Sequence, residues 1–275
     1  MSLTAITICI LLLFLLVPLF LIVFFCSYRY NIIRMETGVL TVPRIILIGG
    51  GSSSGKSYVA KNVIRNIGEE NVTHITRDDY YRDQTNRTRE ERNLVNYDHP
   101  KAFDWKLRRK QILDLKNGKT IEKPLYDFKV RNRRKETETI VPRKLIVIEG
   151  IMALVDKEVR SMGDLLVFIT ASPEVRFLRR FIRDHEERGR GYENIVSQYL
   201  NTVAPRYSEI IAPSSNYADR IVNNDNVSNH SIEVLTCVFQ EELRKAEDPD
   251  FKEKEKRNEF SEDILNRVFQ QSVKA

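Results

Sequence analysis

The chain has 275 residues, 30% of them charged and 42% hydrophobic, with 44 Lys and Arg against 38 Asp and Glu for a net charge of +6. That length allows one large domain or two small ones, with enough core for either. Three cysteines without metal or disulfide spacing exclude a zinc module or a disulfide scaffold.

In chain order the first feature is residues 5–26, an uncharged run made almost wholly of Leu, Ile, Val and Phe. A helix needs about 20 such residues to cross the hydrocarbon layer. No basic residue precedes the run and no small-x-small cleavage site follows it, which argues against a signal peptide. The run therefore predicts one transmembrane helix, with Pro18 as a tolerated kink. Arg29, Arg34 and Arg44 follow it and no Lys or Arg comes before, which predicts a single-pass membrane protein with its globular part in the cytosol.

After a short linker, residues 44–48 form an apolar, β-branched run that reads as a buried strand. Gly50-Gly51-Ser52-Ser53-Ser54-Gly55-Lys56-Ser57 follows at once and fits G-x-x-x-x-G-K-[ST]. Val59, Ala60, Val63, Ile64 and Ile67 then recur at helical spacing until Gly68. Strand, glycine-rich turn and helix together make a P-loop, in which backbone N–H groups and the helix N-terminus cradle phosphates. Lys56 is expected on the β- and γ-phosphates, and Ser57 on Mg²⁺. A surface Gly/Ser linker is the weaker alternative.

Further strands are predicted at 72–76, 145–148, 165–170 and 220–222, and helices at 105–116, 173–188, 192–207 and 231–245. This alternation predicts a parallel α/β sheet with its ligand site at the strand C-termini. Residues 120–143, rich in Lys and Arg, read as a hairpin or excursion, and the Glu/Lys-rich sequence after 245 as a solvated tail with a short amphipathic helix near Ile264.

Four segments narrow the chemistry. Glu149 ends the strand at 145–148, where a P-loop enzyme places the carboxylate that orients Mg²⁺. Asp78 and Asp79 end the strand at 72–76, where a carboxylate can take the proton of an attacking hydroxyl. Around Tyr81, Tyr97, Asp98 and Tyr126, aromatic and hydrogen-bonding groups interleave, suited to a base and a ribose, although loop packing explains such segments equally well. Arg176, Arg180 and Arg183 share a helix face, and with Arg179, Arg188 and Arg190 they suggest a phosphate-closing lid in preference to a solvated basic face.

Taken together, Gly-Gly-Ser-x-Ser-Gly-Lys-Ser at 50–57, Asp78-Asp79-Tyr80-Tyr81, Asn96-Tyr97-Asp98-His99-Pro100, Pro124-Leu125-Tyr126-Asp127-Phe128, Glu149-Gly150-Ile151, Arg188-Gly189-Arg190, Ser197-Gln198-Tyr199 and Tyr217-Ala218-Asp219 resemble the uridine-cytidine kinase family, within the group that includes phosphoribulokinase. The resemblance covers about residues 43–245. It implies ATP-dependent phosphorylation of uridine, with cytidine left open, at the 5′-hydroxyl, a step of pyrimidine salvage. Asp78 would be the general base, aided by Lys56 and by Arg183 and Arg188 of the lid. Ser57, Glu149 and Asp78 would form the Mg²⁺ environment. Gly50, Gly51, Ser52, Ser53, Ser54, Gly55, Lys56, Ser57 and Asp219 would bind ATP, with Asp219 near its adenine. Asp98, Tyr126, Arg180, Arg190, Gln198, Tyr81 and Tyr97 would bind the nucleoside, together with Arg131, which stands where the family usually has a His.

The expected fold is thus an α/β P-loop kinase: a parallel sheet flanked by helices, a small basic substrate-binding excursion and an Arg-rich lid, preceded by one transmembrane helix. Its domains are 1–38 (anchor and linker), 39–245 (nucleoside kinase) and 246–275 (charged tail). The partners are a nucleoside and, through residues 5–26, the membrane; nucleic acid is not expected, and a homo-oligomer is left open. Two other readings stay open: a kinase of this group with a sugar phosphate or another nucleoside as acceptor, and a membrane-bound nucleotide-dependent scaffold.

Overall fold

Continuous apolar runs become inner strands because helices cover both faces of a parallel sheet. β1 (Arg44–Gly50) is buried from its second residue onward, and β5 (Leu145–Glu149) along its whole length. In this computed structural model, residues 43–247 are described, apart from 94, 96, 98, 128, 227 and 228; for 77, 78, 93, 229 and 230 only the backbone is described.

The remaining strands are β2 (Val72–Thr76), β6 (Leu165–Thr170) and β7 (Arg220–Asn223), with the hairpin β3 (Ile121–Asp127) and β4 (Asn132–Ile140). Five strands form one parallel sheet in the order β2-β5-β1-β6-β7. β1 sits at its centre, with Ile48 opposite Glu149 on one side and Gly50 opposite Ile169 on the other. That register brings the end of β1 level with the ends of both neighbours, so whatever follows β1 lies over the sheet's C-terminal edge.

Side chains alternate between two apolar layers, as the two-residue period of a strand requires. On one face Ile46, Ile48, Val147 and Val167 pack with Val59 and Val63 of α1 (Lys56–Ile67) and Leu235 and Phe239 of α7 (Asn229–Glu247). On the other, Ile45, Leu47, Ile146 and Phe168 pack with Ile112 and Leu115 of α3 (Trp105–Lys116) and Val159 of α4 (Lys157–Met162). Asp104 and Asp156 cap these last two helices by accepting from Leu107 N and Val159 N. A short α2 (Arg89–Asn93) lies between β2 and α3.

The basic excursion is the antiparallel hairpin β3–β4, separate from the main sheet. The lid region is α5 (Pro173–Glu186) followed by α6 (Tyr192–Gln198). The helix expected over 192–207 is α-helical to Gln198, widens into a π turn over Tyr199–Val203, is α-helical again over Ala204–Arg206 and widens once more over Tyr207–Ile211. Pro205 removes a backbone donor from this stretch, which favours such irregularity.

The transmembrane expectation is corrected. No helix among the described residues is long and apolar enough to cross a membrane. Residues 5–26 lie outside the described residues, as does most of the charged tail. Hydropathy scores only the tendency of a segment to leave water, not what receives it. The single-pass membrane placement drawn from that run falls with it.

Candidate active site

The loop after β1 wraps back over itself. Gly55 adopts φ +90°, and α1 begins at the next residue. Lys56 is largely buried, and its Nζ donates to Gly51 O at 2.7 Å, so the ammonium lies against the loop. Asn224, just beyond β7, donates from Nδ2 to Ser54 O at 2.9 Å and ties the loop to the neighbouring strand.

Ser57 Oγ donates to Glu149 Oε2 at 2.8 Å. His74 of β2 places Nε2 3.2 Å from Glu149 Oε1, close enough for attraction although not aligned as a hydrogen bond. Burial alone would push the Glu149 carboxyl up. His74, the Ser57 hydroxyl and the Lys56 charge together outweigh it and hold the carboxyl below its ordinary value. A hydroxyl and an ionised carboxylate side by side are hard oxygen donors, the set Mg²⁺ takes when phosphates and waters complete its shell. Among the described residues no cluster of three or more His, Cys, Asp or Glu offers a closed metal cage.

At the end of β2 the chain makes a tight turn over Arg77–Tyr80. Asp79 faces the cavity, accepts from Thr76 Oγ1 at 3.2 Å and is paired with the buried Lys123 of β3. Lys123 also lies 3.1 Å from Glu138 of β4. Burial would lower the Lys123 pKa, but its two carboxylates raise it above the ordinary value. The side chain of Asp78 and the whole of Asp98 lie outside the described residues.

Tyr81, Tyr97, Tyr126 and Phe103 form an aromatic wall. Tyr81 meets Tyr97 edge-on at 5.2 Å between ring centres and packs against Phe103 at 4.5 Å and Tyr126 at 4.9 Å. Burial, followed by the influence of the neighbouring Tyr97 hydroxyl, raises the pKa of the Tyr126 hydroxyl, which stays protonated. Arg131 sits in the turn of the hairpin with φ +55° and faces the same space.

The lid completes the enclosure. Arg180 donates to Ser52 Oγ at 2.8 Å and to Gln198 Oε1 at 3.0 Å, and Arg190 donates to the same Gln198 oxygen at 2.7 Å. Asp184 is fully buried beneath them. Burial would raise its pKa, but Arg183, Arg180 and Arg188 hold the carboxyl well below the usual range.

These groups converge on one cavity of about 760 Å³. It gathers Ser52, Ser53, Gly55, Lys56, Ser57 and Glu149 with Tyr81, Tyr97, Tyr126 and Arg131, and it is closed by Arg180, Arg183, Arg188, Arg190 and Gln198. Asp219 is not brought there. Its carboxylate accepts from Leu166 N at 2.8 Å at the start of β6, the opposite end of that strand from the P-loop. Sequence reasoning missed Asp184, His74 and Asn224. His74 stands polar within β2, and Asp184 has arginines at i−4, i−1 and i+4, so both could have been noticed, whereas Asn224 is set by a contact across 170 residues.

The family description "Phosphoribulokinase / Uridine kinase family" matches residues 45–231. The chain belongs to the phosphoribulokinase/uridine kinase family. Curated proteins named uridine kinase are similar over about 70–74% of this chain. That of Clostridium tetani is 39% identical over 205 residues, 74% of this chain and 98% of its own length. That of Brevibacillus brevis is 42% identical over 194 residues, covering 70% and 91%. Among solved structures, phosphoribulokinase from Rhodobacter spheroides superposes with a TM-score of 0.53 at 14% identity, covering 66% of this chain and 70% of that one, a likeness of fold. The family match starts one residue inside β1, so it belongs to the kinase fold and not to residues 5–26.

Proposed function

We propose that this protein is a uridine kinase, transferring the γ-phosphoryl group of ATP to the 5′-hydroxyl of uridine to give the nucleoside monophosphate, a step of pyrimidine salvage. The observation that carries this reading is one cavity in which a P-loop and an aromatic wall face each other, with arginines between. The catalytic unit is assigned to residues 39–245.

In this reading the P-loop amides and Lys56 bind the triphosphate, and Ser57 and Glu149 hold Mg²⁺, which offsets charge on the β- and γ-phosphates when bound. Tyr81, Tyr97 and Tyr126 pack the base, while Asp98, Arg180 and Gln198 hold the ribose. Asp78 takes the proton of the 5′-hydroxyl as its oxygen bonds to phosphorus, and ADP leaves. Arg183 and Arg188 stabilise the charge on the transferring group, and closure excludes water.

An anionic acceptor draws less support. Arg133 is committed to Asp104 at 3.3 Å and Arg134 lies 3.8 Å from Asp127, leaving Arg131 as the hairpin arginine lining the cavity. Incubating the purified protein with ATP, Mg²⁺ and uridine, cytidine, ribulose 5-phosphate or adenosine tests the reading directly. Uridine monophosphate should form, and Lys56→Ala should abolish it. Turnover of the sugar phosphate without uridine turnover would overturn the proposal.

A further inference from the structure

Asp184 is a carboxylate with no solvent exposure, surrounded by four arginines. Its Oδ1 accepts from Arg183 Nε at 3.0 Å and Nη2 at 2.8 Å, and lies 3.2 Å from Arg188 Nη1. Its Oδ2 accepts from Arg190 Nη1 at 3.1 Å and lies 3.6 Å from Arg180 Nε. The main chain reinforces this arrangement. Arg190 N donates to Asp184 O at 3.0 Å, and Gly189 at φ +62° reverses the chain so that Arg190 returns to the carboxylate, while Arg188 lies one helical turn from it.

The two oxygens serve different partners. Arg180 and Arg190, on Oδ2, are also anchored on Gln198, and Arg180 on the P-loop hydroxyl of Ser52. Arg183 and Arg188, on Oδ1, are more exposed, at 28% and 30%, and face the cavity. An oxygen that takes two guanidinium groups from one side resembles, in charge and hydrogen-bond geometry, a terminal oxygen of a phosphate.

We infer that Asp184 is a positioning residue that stands in for a phosphate, holding Arg183 and Arg188 converged on the cavity until a polyphosphate takes them over. The inference rests on the kinase reading and deepens it. Four arginines against one carboxylate leave a local charge of +3, enough to attract a polyanion without the arginines dispersing. With Asn in place of Asp184 the local charge becomes +4. A simple polyanion then meets no competing carboxylate and binds more tightly, yet the arginines are no longer preset and phosphoryl transfer slows. A buried residue that only supported the fold would give the opposite sign for binding.

The test measures inorganic tripolyphosphate binding to the full-length protein by calorimetry, with thermal melting in parallel. Asp184→Asn should bind tripolyphosphate about tenfold more tightly than the natural protein, the effect of one partly screened charge a few ångströms away. Added tripolyphosphate should raise its Tm by more than it raises that of the natural protein, while kcat with ATP and uridine falls at least about tenfold. The double variant Asp184→Asn/Arg183→Gln, whose local charge is again +3, should return to about the natural affinity. If Asp184→Asn is insoluble alone, tripolyphosphate should rescue its refolding. Unchanged or weaker tripolyphosphate binding, or aggregation with and without the anion, overturns the inference. A natural protein that binds no tripolyphosphate overturns the phosphate site itself, a separate failure.

Discussion

Gly55 offers a perturbation whose cost can be worked from contacts. Its backbone holds φ +90°, and an added Cβ would lie 2.1 Å from Asn224 Nδ2. Beyond Asn224, the nearest atom to that Cβ is Arg179 Nη1 at 3.8 Å, an ordinary contact. Two terms therefore make up the cost of Gly55→Ala. A side chain in the left-handed region costs about 1–2 kcal/mol. Asn224 must also swing away and give up its bond to Ser54 O, worth about 1 kcal/mol. The sum is about 2–3 kcal/mol. In an Asn224→Ala background the obstacle is already gone, so Gly55→Ala should cost only the first term, and the two variants should couple by about 1 kcal/mol. Urea unfolding of the four proteins of this cycle gives the answer. A cost of Gly55→Ala that is equal in both backgrounds, within about 0.3 kcal/mol, would refute the idea that Asn224 meets the new methyl group.

Asp78→Asn should lower kcat by roughly 10²–10⁴ while uridine binding, followed by calorimetry, is retained; a near-normal kcat would exclude Asp78 as the base. Arg131 has five donors and no acceptor, so it can serve O4 of uracil but not the amino hydrogens of cytosine. Uridine should be preferred over cytidine by about ten- to a hundredfold in kcat/KM, and Arg131→His should narrow the gap; equal turnover of both by the natural protein sinks the idea. Glu149 has a folded pKa held below the ordinary carboxylate value, so it stabilises the fold above about pH 4.5 and ceases to as pH falls through its depressed pKa. The natural protein should be the more stable of the pair at neutral pH, and its margin over Glu149→Gln in urea midpoint should close in that acid window. A margin independent of pH between 3 and 7 would show that the charge is not what stabilises.

Read residue by residue, much of the fold lies in local pattern. The five strands of the sheet fall where strands were expected, and the helices over 105–116 and 173–186 end near their expected limits, because burial on most of these strand and helix faces imposes a period visible along the chain. The P-loop is legible for a similar reason: its glycines, lysine and serine act within eight consecutive residues. Glu149 could be placed because a strand's last residue lies at the ligand edge of a parallel sheet whatever its neighbours are. The order β2-β5-β1-β6-β7 was settled by packing, since no local signal says which strand pairs with which. Asp219 shows the consequence. It precedes a strand, so the parallel topology sends it to the far edge, where it caps Leu166 N. Asp184 shows the converse. Its four arginines stand within six residues of it along the chain, but its complete burial and the tie of Arg180 and Arg190 to Gln198 of α6 come only with the folded lid. Periodicity determined what each segment buries; which strands pair, and that Arg180 of the lid reaches Ser52 of the P-loop, belongs to the tertiary structure because packing and hydrogen bonding depend on separation in space and not along the chain.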